Sequence, residues 1–327
     1  MDKKTKFSLF GMCLFASCLV NAEELLVYTA IESEWLPIYK AAFEKKYPNI
    51  QISFLRGSAG PISARLIAEK DAPQADVVFG LSAIAMENLS KKGLLEPYKP
   101  SGAEYLNSKM HSKDFHWFGM NAWGGSICVN TELLDRKGIP VPQSWEDLTK
   151  PIYKGLIVMP SPLASSTGYM FFLGWIQGFG EKKGWDYFER LHKNILFYSS
   201  SGARPAAMVS QGEIAIGLSS AAFIKPFLRY NIPVITVEPK EGIAWDAEAS
   251  ALTKRKQKIN SAKKFLDFCA SKEVGQIAGV FSGISAIEAY STEQGKKIAK
   301  QFLPLDFQRA ADEKHQIIKR WQEKVSQ

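Results

Sequence analysis

Short runs of β-branched and aromatic residues alternate along this chain with longer stretches whose apolar positions recur every three to four residues. Residues 25–30 (LLVYTA), 50–55 and 75–80 (ADVVFG) read as buried strands, with amphipathic helices at 36–47 and 61–70 between them. A helix over 82–92 follows, and Gly93 closes it as a C-terminal cap. This order predicts a parallel, doubly wound sheet that binds its ligands at the carboxyl ends of the strands. Beyond residue 130 a second α/β unit begins, with strands at 156–159, 195–198 and 213–218 and helices at 168–178 and 203–211. Two β-rich segments, 118–130 and 243–253, are the natural crossings between the halves. Helices at 261–271, 292–299 and 308–324 complete the pattern, which contains no internal repeat or low-complexity segment.

The first residues follow a different pattern. Lys3, Lys4 and Lys6 precede an apolar stretch over 7–20, and Val20-Asn21-Ala22 offers small residues for cleavage, so 1–22 reads as a secretory signal peptide with Glu23 as the mature N-terminus. A lipid anchor at Cys18 is the alternative, and Phe15 fits that signal poorly. The expected location is the periplasm. Roughly 300 residues then remain, more than one hydrophobic core usually carries, which favours two lobes. The formal charge of +8 is spread among well-mixed acidic and basic residues, so a nucleic-acid partner is not expected. Outside the leader the cysteines are Cys128 and Cys269, both in apolar contexts that suit isolated buried thiols.

Candidate chemistry sits in three serine- and glycine-rich turns, each opening a helix: 56–61 (RGSAGP), 165–168 (SSTG) and 199–205 (SSSGARP). Helix N-termini present unpaired N–H groups and positive dipole, and hydroxyls add donors, so each turn can cradle an anion. Simple helix capping by the same residues is the competing reading of any one turn.

The chain resembles periplasmic solute-binding proteins of ABC importers, in the branch for 2-aminoethylphosphonate and related phosphorylated solutes that neighbours the ferric-ion binders. The resemblance rests on VYTAIESEW, LRGSAGPISARLIAEKDAPQADVVFGL, NAWGGSICVNT, PQSWEDLTKPIYKGLIVMPSPLASSTGYM, FYSSSGARPAAMVSQGEIAIGLS, PKEGIAWDAEASAL and LDFQRAADEKHQIIKRWQEK. It implies a periplasmic-binding-protein fold of two α/β lobes joined by a two-strand hinge. The expected grouping is 23–125 with 247–285 in the first lobe and 126–246 with 286–327 in the second. It further implies a monomer without cofactor that closes on a small anionic organic ligand and delivers it to an inner-membrane permease. Carried over by position, the turns of Ser58, Ser165, Ser166, Thr167, Ser201 and Gly202 hold the phosphoryl oxygens, with Ala59 and Gly168 as further ligand-binding candidates in the same turns. Glu32, Glu34 and Asp246 are candidates for the rest of the ligand, Glu248 flanks Ala247 on the same crossing, and Trp35, Trp123 and Trp245 are candidate walls.

Two departures from the family pattern bear on the ligand. Ferric binders carry adjacent tyrosines where this chain reads Ser219-Ser220-Ala221-Ala222-Phe223, which argues against iron held in that manner. Aminoethylphosphonate binders keep an aromatic or acidic residue in that stretch and a His near the third turn, where this chain has Tyr198-Ser199. The ligand expected first is 2-aminoethylphosphonate, with hexose phosphate and then ferric ion as alternatives. An enzyme, such as a secreted phosphohydrolase, is the reading from a different class. No G-x-S-x-G elbow supports it, His111, His116, His192 and His315 show no motif linking them to a nucleophile, and the H-x4-H pair of His111 and His116 lacks a further ligand for zinc.

Overall fold

The computed structural model describes residues 22–228 and 230–326, so the expected leader lies outside it except for Ala22. The first unit runs β1 (Glu23–Thr29), α1 (Leu36–Lys46), β2 (Ile50–Arg56), α2 (Ala59–Ala68), β3 (Val77–Ser82), α3 (Ala83–Lys91) and the short β4 (Leu95–Glu96). A long strand, β5 (Phe118–Asn130), leads into the second unit: α4 (Thr131–Asp135), β6 (Ile157–Pro160), α5 (Ser166–Gly178), α6 (Glu181–His192), β7 (Ile195–Ser199), α7 (Arg204–Ser210), β8 (Ile216–Ser220), α8 (Ala221–Leu228) and β9 (Val234–Val237). The chain returns through β10 (Trp245–Thr253) and ends in α9 (Ile259–Cys269), α10 (Lys272–Phe281), α11 (Glu293–Ala299) and α12 (Phe307–Val325).

The strands form one sheet in the order β2-β1-β3-β10-β5-β8-β6-β7. Its outer parts are parallel, β1 with β2 and β3, and β6 with β7 and β8. The crossing strands β5 and β10 run antiparallel to each other, to β3 and to β8. Successive residues of a strand point to opposite faces, and here both faces are covered. Val27 and Phe79 enter one core with Phe43 and Phe265 from helices, while Tyr28 and Val78 enter another with Ile62 and Met86. The second lobe repeats the arrangement, with Ile127 and Met159 on one side and Cys128 and Val158 on the other. This double burial explains why the strands read as unbroken apolar runs.

β5 changes partners between two adjacent glycines: Gly124 pairs with Trp245 of β10, and Gly125 with Ser220 of β8. The return crosses over between Ala244, packed in the second lobe's core, and Trp245, packed in the first lobe's. Trp245 and Asp246 therefore ladder with the first lobe, two residues earlier than the expected boundary. The segment expected wholly with the second lobe divides. Ala286 and Ile287 are buried in the first lobe's core with Ile298, Ala299 and Phe302 packed against it, whereas Ala310, Ile317 and Trp321 of α12 belong to the second. Phe307, at the start of α12, meets Trp117 and Trp245 edge-on at 5.4 Å, so this helix spans both lobes behind the crossing.

Candidate functional site

The turns after β2, β6 and β7 converge on one cavity of about 250 Å³ between the lobes. Ser58 and Ala59 reach it from the N-terminus of α2, Ser165, Ser166 and Thr167 from that of α5, and Ser200, Ser201 and Gly202 from the turn before α7. The third turn is internally braced: Ser199 Oγ donates to the Ser201 carbonyl at 2.9 Å, and Ser219 Oγ to the Gly202 carbonyl at 2.6 Å. Glycine is required at 202 because a Cβ there would lie 2.2 Å from Thr167 Oγ1, which is how closely the second and third turns approach. Across the cleft the lobes touch where a Cβ on Gly60 would meet the Ala164 carbonyl at 3.5 Å, and where Lys225 Nζ donates to the Val280 carbonyl at 3.0 Å.

The hydroxyls at the helix N-termini fall into two groups. Of the Ser, Thr, Asn and Asp residues that cap described α-helices, Ser82, Asn130, Ser271, Thr292 and Asp306 accept a hydrogen bond from the first turn in the usual way. Ser58 and Ser165 do not, although their backbones are extended as a cap requires. Both line the cavity. Their hydroxyls and the first amides of α2 and α5 are thus turned over to whatever occupies it, an arrangement that suits an anion and supplies no cation of its own.

The first lobe provides the other end. Arg56 donates through Nε to the Ile31 carbonyl at 3.2 Å and forms an ion pair with Glu32. Burial raises the Glu32 carboxyl above its ordinary range, with the Arg56 charge opposing the rise. Glu248 of β10 accepts from Asn121 Nδ2 at 2.7 Å, and burial pushes its carboxyl up to about 7, with Glu32 adding to the rise. Trp35 and Trp123 stand at the sides, Trp35 backed by a parallel stack on Phe281 at 4.6 Å.

Most of the sequence candidates meet at this cavity: Glu32, Ser58, Ala59, Ser165, Ser166, Thr167, Ser201, Gly202, Trp35 and Trp123. Four do not. Gly168 packs on the backbone of Pro160 and Ser161, Glu34 is exposed outside the cavity, and Trp245 stacks on Phe302 at 4.9 Å. Asp246 is the main correction. It is completely buried, and its Oδ1 accepts from the amides of Ala83 at 3.1 Å and Ala247 at 2.7 Å, so it closes the start of α3. The acid of this strand that lines the cavity is Glu248, with Asn121 beside it. The sequence offered Glu248 only as a neighbour of Asp246, Arg56 and Ser200 only as members of the first and third turns, Ser220 only as a departure from the ferric binders, and Asn121 not at all beyond its place on a crossing.

Burial also raises the Asp246 carboxyl, to about 7. A folded-state value above the ordinary 3.8 means that ionisation costs stability: the cost enters as pH climbs past about 4 and is complete above 7. Asp246→Asn retains an acceptor for the two amides and removes the charge. The melting temperature of the variant relative to the native protein should therefore rise between pH 4 and pH 8, by the equivalent of about 1–4 kcal/mol. A pH-independent difference in thermal denaturation would contradict this.

Cys128 and Cys269 are both free and buried, in different lobes. His111 stacks on Phe115, and His192 bonds the Tyr198 hydroxyl at 2.8 Å. No cluster of metal-ligating side chains occurs among the described residues, and no helix there is long and apolar enough to cross a membrane. Two lobes closing hydroxyls and helix N-termini over a small cavity is the architecture of capture. Residues 72–312 match the model of the family described as bacterial extracellular solute-binding protein.

The chain belongs to that family. Solute-binding proteins of this family are not enzymes, and this chain is a solute-binding protein. It is 29% identical to the "Probable ABC transporter periplasmic-binding protein y4fP" of Sinorhizobium fredii, over 82% of this chain and 75% of that one. With the "Putative 2-aminoethylphosphonate-binding periplasmic protein" of Salmonella paratyphi A it shares 24% identity, over 83% and 81%. Among solved structures it is similar to the periplasmic binding protein AfuA of Actinobacillus pleuropneumoniae with exogenous fructose-6-phosphate bound. That likeness has a TM-score of 0.85 and 28% identity, covering 93% of this chain and 99% of AfuA. The fold alone is shared with the apo ferric ion-binding protein A of Pasteurella haemolytica, with a TM-score of 0.76 at 16% identity over 93% and 98%. The periplasmic-binding-protein fold expected from the sequence is thereby shown.

Proposed function

We propose that this solute-binding protein captures a small phosphorylated or phosphonylated organic molecule from the periplasm and releases it to its permease. The observation that carries the reading is the pair of N-cap serines, Ser58 and Ser165, whose hydroxyls face the cavity without capping bonds. A phosphoryl group accepts several hydrogen bonds at once and carries the charge that helix N-termini favour. The opposite end, with Glu32, Asn121 and Glu248, suits a polar tail. Two tails have support from relatives: the sugar of fructose 6-phosphate, from AfuA, and the aminoethyl group, from the Salmonella paratyphi A protein. Ferric ion is disfavoured because Ser219 and Ser220 stand where the iron binders' tyrosines are expected.

Closure makes contacts that exist only when the lobes meet, so a ligand stabilises the closed fold by its affinity for it. At about a hundred times its dissociation constant the gain is roughly 2.7 kcal/mol, enough for a readable change in melting temperature. Thermal denaturation with glucose 6-phosphate or 2-aminoethylphosphonate should show such a rise, and ferric ion, inorganic sulfate and free glucose little or none. A response to ferric ion with silence from every organic phosphate would overturn the reading.

A further inference from the structure

Glu248 is the one acid of the return strand that reaches the cavity, and its surroundings decide what it can do there. From the turn after β1 it faces the carboxylate of Glu32, and the guanidinium of Arg56, from β2, lines the same cavity committed to Glu32 and the Ile31 carbonyl. From α1 it faces the Tyr39 phenol, itself shifted upward by burial and by the Glu248 charge. β3 and β5 contribute neutral groups, Ser82 and Asn121, and Ser282 follows from the C-terminal end of α10. Asp246, two residues earlier, is taken up by the amides of Ala83 and Ala247. No cation among the described residues makes an ion pair with Glu248.

On the reading that the serine turns hold a phosphoryl group, we propose that Glu248 selects the other end of the solute and does so as a neutral carboxylic acid, favouring a hydroxyl-bearing tail over an ammonium-bearing one. The argument is one of charge. A closed cavity that holds a phosphoryl anion and the Glu32 carboxylate, with one guanidinium, disfavours a third negative charge at Glu248. Bearing a proton, Glu248 donates one hydrogen bond to a hydroxyl oxygen, accepts another from a hydroxyl proton, and still accepts from Asn121. Its carboxyl, pushed up to about 7 in the protein itself, is half protonated near neutrality. An anionic solute raises it further, so binding takes up a proton.

The test is isothermal titration with glucose 6-phosphate and 2-aminoethylphosphonate at pH 6 and pH 8, in buffers of different ionisation enthalpy. Native protein, Glu248→Gln and Glu248→Leu are compared. Gln mimics the neutral acid at every pH, and the ratio of variant to native affinity cancels the titration of the solute's own phosphate. That ratio for Glu248→Gln should rise about tenfold from pH 6 to pH 8, as expected when only the protonated form of a group titrating near 7 binds. Native protein should take up more protons per glucose 6-phosphate at pH 8 than Glu248→Gln does. Glu248→Leu, which keeps the bulk and loses both polar atoms, should bind it at least tenfold more weakly at either pH. A constant ratio, or tighter binding of 2-aminoethylphosphonate with proton release, overturns the assignment while leaving the phosphoryl reading intact. Failure of both solutes to bind the native protein overturns the two together.

Discussion

Ser166→Asp should lower the affinity for an organic phosphate at least a hundredfold while leaving the protein folded. Ser166 is the first residue of α5 and lines the cavity. An acid in the first turn is favourable to the helix dipole by about 0.3–1 kcal/mol, so the substitution carries no penalty in helix stability. In the cavity the same carboxylate lies where the solute's anion is expected, shielded from water by the closed lobes. Repulsion and a lost hydroxyl donor together amount to several kcal/mol, well past the roughly 2.7 kcal/mol that a hundredfold represents. Calorimetric titration beside a melting curve checks both halves of the statement. Affinity within threefold of native would show that the second turn is structural only.

Gly202→Ala is expected to have the next largest effect, by a different route. The added methyl would sit 2.2 Å from Thr167 Oγ1, 2.8 Å from Thr167 Cβ and 3.2 Å from Ser165 Oγ. Thr167 is 3% exposed and has little room to retreat, so the second and third turns must separate. Hydroxyls that converge on one anion lose that convergence when their turns move by a fraction of an ångström. Binding should weaken at least tenfold, with a loss of stability of about 1–3 kcal/mol that titration and denaturation read separately. Unchanged binding would mean that the two turns do not act on a common ligand.

The sequence made the α/β order legible because the cores of both lobes are fed by strands of unbroken apolar character, and the three turns legible because serine and glycine cluster at strand ends. What it hid depends on tertiary approach. Asp246 and Glu248 stand two apart on one strand and look equivalent, and only the arrival of the α3 amides over Asp246 distinguishes them. α10 escaped for a related reason. Its pattern is diluted by Gly275 and Gly279, the second of which lies so close to the Tyr290 carbonyl that a Cβ would be 2.0 Å away. Glycine weakens a helix signal there because packing leaves no space for anything larger. Arg56, read as part of an anion turn, lines the cavity paired with Glu32, a partner supplied by the turn after the neighbouring strand that the sequence did not single out for it.

The two thiols give this molecule a reporter for each half. Cys128 is fully enclosed in a small cluster of the second lobe and Cys269 is 2% exposed in the large core of the first. Burial also holds both thiols well above the ordinary range, so neither reacts as a thiolate while folded. Alkylation of either one consequently clocks the opening of the core around it, and the two rates, taken with and without solute, assign the protection conferred by capture to one lobe or shared between both.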